Sequence, residues 1–354
     1  MIKLIQQIER ICLSPNSICN LKCKYCYFYN PDKELINQKK LTEREIYQIL
    51  SIIDLYSKRD FVRKKIKLNF VGSGEPLLSW SEIKKSLTKI FSEKKGEKIR
   101  FYMVTNGTLI TSRIAKEIKD IRIIPSVSID GPPSINDKNR LTKKGEGSFN
   151  LAIKGLEYLH SENFDKIINT TITLDLVNHL EEYFSFVEKN NISKIIFGRL
   201  VDVPKTYRNM SYNDFYEILG IIYDFYKKNN LSKKVEIGNF ESYKRAIKQN
   251  PDRVCTMFGS CCGAGISNII YLQREVYPCG RMFNNENWKL GDFSEDLDIL
   301  QKRMESKIPI KPNICFHCEV DNKCINDCIL DQIRPDYNCE ARKKFILKLT
   351  SDMI

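Results

Sequence analysis

The chain has 354 residues, enough for a large core and two or three domains. Lysine and arginine outnumber aspartate and glutamate by 57 to 44, a formal charge of +13. The basic residues are scattered in short blocks such as Arg63-Lys64-Lys65, Lys143-Lys144, Lys227-Lys228 and Lys233-Lys234, with no arginine-rich stripe and interleaved aromatics, so nucleic acid is not an expected partner. No run of about eighteen apolar residues occurs, which excludes a membrane-spanning helix. The apolar stretch in Met1-Ile-Lys-Leu-Ile-Gln-Gln-Ile-Glu-Arg is too short for a secretory signal. The expected compartment is the cytoplasm, where 13 cysteines point to metal ligation rather than disulfides.

In chain order, apolar runs predict strands over 9–13, 66–71, 99–104, 123–129, 167–174 and 193–200. Between them, helical patterns fall over 42–56, 79–91, 112–118, 148–159 and 179–188; the first opens with Thr42 and Glu45 at capping-box spacing. Repeated strand–helix units imply a parallel α/β sheet, and six of them suit an open, partial (β/α)6 barrel of TIM type over residues 1–204. A helical bridging segment (212–226, 240–248) is expected over 205–254. A cysteine-dense region with short elements follows over 255–354 and ends in a helix over 340–349. In such a barrel the reactive groups come from loops at the C-terminal ends of the strands.

The first of those loops contains Cys19, Cys23 and Cys26, spaced three residues and then two apart. Three thiolates so close can hold three irons of a cubane [4Fe-4S] cluster and leave the fourth iron open to a small-molecule chelator. A zinc site or a chance group of core cysteines is the alternative on spacing alone. Gly72-Ser73-Gly74-Glu75-Pro76 follows the second strand, where glycines let a ligand approach the backbone. Thr105-Asn106-Gly107-Thr108 follows the third, and Ser128-Ile129-Asp130-Gly131-Pro132 the fourth, with Arg140 just beyond. Short polar side chains at strand ends can hydrogen-bond a ribose, and an arginine can clamp a carboxylate; a surface salt bridge is the alternative for Arg140.

The cysteine loop and the segments after it resemble the radical SAM superfamily. The resemblance implies that the open iron takes the amino and carboxylate groups of S-adenosylmethionine and that Tyr25 holds the aromatic position of the cysteine motif. It places Gly74 and Glu75 in the segment that binds the methionyl ammonium, with Ser73 replacing a glycine. It also places Ser128 near the ribose, Arg140 at the methionine carboxylate and Val201 against adenine. A reduced cluster would then cleave S-adenosylmethionine to a 5′-deoxyadenosyl radical that abstracts hydrogen from an unactivated C–H bond, shielded from water. The implied electron donor is a flavodoxin or ferredoxin.

Cys315, Cys318, Cys324, Cys328 and Cys339, preceded by Cys255, Cys261, Cys262 and Cys279, resemble the SPASM extension with its two auxiliary [4Fe-4S] clusters. By that resemblance Cys255, Cys261, Cys279 and Cys328 hold one cluster, with Cys262 as an alternative to its neighbour, and Cys315, Cys318, Cys324 and Cys339 hold the other, three clusters in all. Two zinc ribbons are the alternative. Arg274 stands where the pattern has glycine. Cys12 is expected to be buried in the first strand, His160 and His179 to be structural, and His317 to have no ligand vacancy.

Enzymes of this architecture act on peptides or proteins. One branch matures ribosomally made precursor peptides by thioether or carbon–carbon crosslinks or by epimerisation. The other, the anaerobic sulfatase-maturing enzymes, makes formylglycine with an aspartate directly after tyrosine-proline-cysteine. Here that position is Gly280, which cannot take a proton, so the precursor-peptide reading is preferred. Because eighteen residues precede Cys19, no N-terminal leader-binding domain is expected, and the barrel rim or a separate leader-binding protein would hold the leader. A non-catalytic iron–sulfur or nucleic-acid-binding protein is the remaining alternative, and the Gly74, Ser128 and Arg140 positions speak for an enzyme.

Overall fold

The computed structural model describes residues 7–29, 39–205, 210–248, 264, 267–307, 318–320, 323, 324, 328, 330 and 338–353. Six parallel strands form the centre of the sheet in sequence order: β1 (Arg10–Ser14), β2 (Ile66–Phe70), β3 (Ile99–Thr105), β4 (Ile123–Ser128), β5 (Ile167–Thr171) and β6 (Lys194–Gly198). On their outer side lie α1 (Glu43–Ser57), α2 (Trp80–Ser92), α3 (Ser112–Asp120), α4 (Pro133–Asn136), α5 (Phe149–Ser161), α6 (Leu174–Asn178) and α7 (Leu180–Lys189). The α/β class and the six strand–helix units agree with the sequence reading. β1 and β6 are not paired with each other among the described residues, so the barrel is open.

Three features differ from expectation. The fifth strand ends at Thr171 rather than at 174, because the Thr173 hydroxyl accepts from the Leu176 amide at 3.3 Å and starts α6 instead. The sheet also runs past both expected edges. On one side β7 (Glu236–Ile237) pairs parallel with β6; on the other, β8 (Asn268–Leu272) pairs parallel with β1 and leads into an antiparallel hairpin with β9 (Glu275–Tyr277) and β10 (Gly291–Asp292). The cysteine-rich segment therefore shares its sheet with the barrel. Arg274, in the β8–β9 turn, pairs with Glu45 of α1 at 2.6 Å, which gives the arginine at the glycine position a structural task.

Alternation along the central strands separates two environments. Ile11, Leu68, Phe101, Met103, Val127, Ile168 and Ile195 are buried beneath the helices and form the main core. The intervening residues, such as Lys67, Asn69, Tyr102, Ser126 and Asn169, face the lumen and remain partly solvent-accessible. The bridging helices α8 (Tyr212–Lys228) and α9 (Gly238–Lys248) receive the last helix, α11 (Glu340–Ser351), where Phe345 packs against Tyr216, Tyr223, Phe240 and Tyr243; α10 (Leu297–Ser306) lies against α1. Thr42 and Glu45 form the expected capping box at the start of α1.

Candidate active site

The loop after β1 carries Cys19, Cys23 and Cys26, and the loop after β2 is pressed against it. A Cβ on Gly72 would lie 2.3 Å from Ser14 Cβ, and one on Gly74 would lie 2.2 Å from Asn16 Oδ1 and 2.5 Å from the Ile18 carbonyl. These glycines first let two loops touch. The Ser73 hydroxyl meets that of Ser14 at 3.1 Å, so serine at this glycine position gains a partner. Asn16 completes the seam by donating to the Glu75 carbonyl and to Ser79 Oγ, both at 2.9 Å.

Glu75 is buried, and burial pushes its carboxyl up. It accepts from Thr105 Oγ1 at 2.6 Å, the Asn106 amide at 2.8 Å and the Leu77 amide at 3.1 Å. The side chain thus ties the β2 loop to the β3 loop. Asn106 reaches the cysteine loop in turn, donating to Asn20 at 2.9 Å and lying 3.9 Å from Cys19 Sγ.

Tyr25, Arg140 and Asp130 form a buried triad beneath the same loop. The Tyr25 hydroxyl donates to Asp130 and accepts from Arg140 at 2.8 Å, while the Thr171 amide donates to the other Asp130 oxygen at 2.9 Å. Arg140 lies 3.8 Å from that carboxylate. Burial raises the Asp130 carboxyl, and Arg140 and Tyr25 oppose the rise. Arg140 is therefore not a surface salt bridge. The sequence signal for Asp130 is its place in Ser128-Ile129-Asp130-Gly131 at a strand end, which does not by itself name Tyr25 and Arg140 as its partners. Ser128 stands at the C-terminal end of β4, paired there with Asn169, its hydroxyl making no hydrogen bond among the described residues, and Val201 lies just past β6.

Burial pushes the Cys19 thiol up to about 12 and raises Cys23 and Cys26 as well; the three thiols also perturb one another electrostatically, and Arg140 favours the Cys23 thiolate. Among the described residues no three His, Cys, Asp or Glu side chains converge as ligands of one metal ion. Three cysteines in one loop match the three thiolates that a cubane with one open iron takes, and are one ligand short of a four-coordinate structural zinc site.

Of the C-terminal cysteines, Cys255, Cys261, Cys262 and Cys315 lie outside the described residues, as does His317. Cys279 follows β9, and Arg281, two residues on, donates to Cys328 Sγ at 3.3 Å, which draws two cysteines of the first expected auxiliary set together. Arg281 also grips Asp202, next to Val201, at 2.8 and 3.1 Å. Cys318 acts electrostatically on Lys343, in the first turn of the helix that Cys339 precedes. Cys12 is half-buried, not buried: it faces the lumen side of β1, beside a small cluster containing Phe28, Tyr277 and Cys279. His160 and His179 are exposed and meet the carbonyls of Phe164 and Asp175 in and beside their own helices, as structural residues would.

The radical SAM superfamily pattern matches residues 13–187. The chain is 27% identical over 338 residues to the radical SAM cyclopropyl synthase TigE of Paramaledivibacter caminithermalis, covering 92% of this chain and 68% of that protein. It is 25% identical over 289 residues to a cysteine-type anaerobic sulfatase-maturating enzyme of Clostridium novyi, covering 79% and 75%. The solved structure of anSMEcpe with bound AdoMet shares the fold at a TM-score of 0.80 and 20% identity, covering 97% of each chain. That enzyme has also been solved with AdoMet and the Cp18Cys peptide. The chain belongs to the radical SAM superfamily and is an enzyme that binds S-adenosylmethionine and carries the superfamily's iron–sulfur cluster.

Proposed function

We propose that the chain is a radical SAM peptide maturase, which installs a thioether or carbon–carbon crosslink, or inverts a Cα centre, in a ribosomally made precursor peptide. Cys19, Cys23 and Cys26 hold the reactive cluster; Gly74, Ser128, Arg140 and Val201 surround S-adenosylmethionine, with Glu75 and Tyr25 fixing the loops that present it. Two further clusters sit on Cys255, Cys261 or Cys262, Cys279 and Cys328, and on Cys315, Cys318, Cys324 and Cys339. When bound, the reactive cluster and S-adenosylmethionine supply a hydrogen-abstracting 5′-deoxyadenosyl radical. The protein's own part is to hold three strand-end loops rigid and to keep charge buried and paired beside the cysteine loop. A flavodoxin or ferredoxin delivers the electron, and a separate protein or the barrel rim holds the leader.

The observation that carries this reading over sulfatase maturation is Gly280. By the resemblance, the sulfatase branch has its aspartate there. A Cβ at this position would stand 2.9 Å from Tyr27 Oη and 3.0 Å from Phe28 Cζ, so the site is filled by the cysteine loop rather than open to a carboxylate. Similarity to a cysteine-type sulfatase-maturating enzyme keeps formylglycine formation as the second reading. The test is anaerobic reconstitution and reductive cleavage of S-adenosylmethionine, followed by co-expression with small open reading frames beside the gene and mass spectrometry. A crosslink lowers the peptide mass by two hydrogens and epimerisation leaves it unchanged. Formylglycine on a sulfatase peptide would install the second reading, and no cleavage would end both.

A further inference from the structure

The barrel lumen below the loops is a cavity of about 530 Å³ that reaches the N-terminal ends of the strands. Its lining includes Arg10, Lys67, Arg100, Lys194 and Arg245 and, among the described residues, no aspartate or glutamate. The strand register makes the arrangement specific. Arg10 pairs with Lys67 across β1 and β2, and Lys67 pairs with Arg100 across β2 and β3, so three cations stand side by side on one face. Like charges at this spacing repel, with little water to screen them inside a cavity. Two carboxylates flank the row: Glu9 is bound to Lys64 at 2.9 Å, and Glu236 to Lys194 at 2.6 Å. Neither lines the cavity.

Two further features point to a missing guest. Arg10 Nε and Asn69 Oδ1 are buried without a hydrogen-bond partner among the described residues, and an unsatisfied buried polar atom costs about 1–3 kcal/mol. Ile124 and Ile196, also on the lining, are 42% and 39% exposed, so apolar surface lies open beside the cations. Burial lowers the Lys67 ammonium, Arg10, Arg245 and Arg100 lower it further, and Glu9 opposes them.

We propose that this lumen receives an acidic segment of the substrate peptide and that Arg10, Lys67 and Arg100 bind its carboxylates. The inference rests on the peptide-maturase reading and adds the substrate's chemistry. A free donor and a free acceptor suit a peptide backbone, and the exposed isoleucines suit an extended chain with apolar side chains; neither matches a nucleic acid. The row sits at the opposite end of β1 from the cysteine loop. Five residues of strand span about 13 Å, or about four residues of extended peptide. The carboxylates therefore lie at least about four residues from the modified position.

The test measures binding without turnover, apart from the S-adenosylmethionine cleavage that tests the functional reading. Fluorescence anisotropy of the reconstituted protein would use a short fluorescein-labelled peptide of alternating glycine and glutamate, and its glutamine counterpart. The glutamate peptide should bind at least about ten-fold more tightly, more weakly as salt rises, and about ten-fold less tightly to Arg100→Gln or Lys67→Gln. Lys143→Gln/Lys144→Gln, in an exposed turn, should bind it as the wild type does. Arg100 is exposed in the lumen, so its variant decides the matter if Lys67→Gln does not fold. Equal binding of the two peptides, or unchanged binding by Arg100→Gln, would overturn the proposal. So would tripolyphosphate that binds more tightly than the glutamate peptide and displaces it, which would assign the row to phosphate.

Discussion

Arg140 and Asp130 are held on either side of the Tyr25 hydroxyl, in a space with almost no water. Removing one charge strands the other, and an uncompensated buried charge costs about 3–5 kcal/mol. Arg140→Ala should therefore lower stability by about that much, read by urea unfolding, as well as weaken S-adenosylmethionine binding. Adding Asp130→Asn should return most of the stability but not the affinity. A double variant no more stable than the single one would show that the triad is not a charge pair. At the cysteine loop, replacing Cys19, Cys23 and Cys26 together by alanine should remove about a third of the iron, from about twelve atoms with three cubanes, and abolish cofactor cleavage. Retained cleavage would refute the assignment. The cysteine spacing was legible because it is local. The partnership of Tyr25 with Asp130, 105 positions apart, was not, since only the fold brings a β1 loop under β4.

The same contrast holds for elements. The six central strands and their helices were readable from alternation and caps, since each buries one face. β8 is buried along its whole length, so Asn-Ile-Ile-Tyr-Leu has no alternation to mark it among the cysteines; a continuous apolar run is what a strand buried on both faces looks like. Helix-to-helix ties are a second kind of long-range information. The Trp80 indole of α2 donates to Glu117 of α3 at 2.7 Å, with Lys84 at 3.0 Å, and these hold the Glu117 carboxyl below its ordinary value. A depressed carboxyl contributes stability above the unfolded glutamate value, about 4.3, and loses it as pH falls through the lower folded value. Acid titration should therefore show a Trp80 fluorescence step below about pH 4.3, absent in Glu117→Gln. A step of equal size in that variant would place its source elsewhere.

At the scale of the whole molecule, the N-terminal cysteine loop and the C-terminal cysteine region meet at one seam. Tyr27 lies within electrostatic reach of both Cys26 and Cys279, its ring is 4.1 Å from that of Phe28, and the Tyr27 hydroxyl and the Phe28 ring edge close over Gly280. One residue on, Arg281 joins Asp202 after β6 to Cys328. Glycine at 280 is thus a packing requirement as well as a missing carboxylate, something the sequence could not reveal because its contacts are about 250 positions away. Gly280→Ala must displace the Tyr27 hydroxyl or the Phe28 ring, and overpacking of this kind costs about 1–3 kcal/mol. Tyr27→Phe removes the nearer atom, so the double variant should recover part of the loss in thermal melts of the reconstituted protein. Gly280→Asp should be worse than Gly280→Ala and should not gain formylglycine activity, because a carboxylate forced against two aromatic rings is not free to take a proton from substrate. If Gly280→Asp instead folded normally and oxidised a sulfatase peptide, the cysteine loop would have room that these contacts deny, and the chain would belong with the sulfatase-maturing branch.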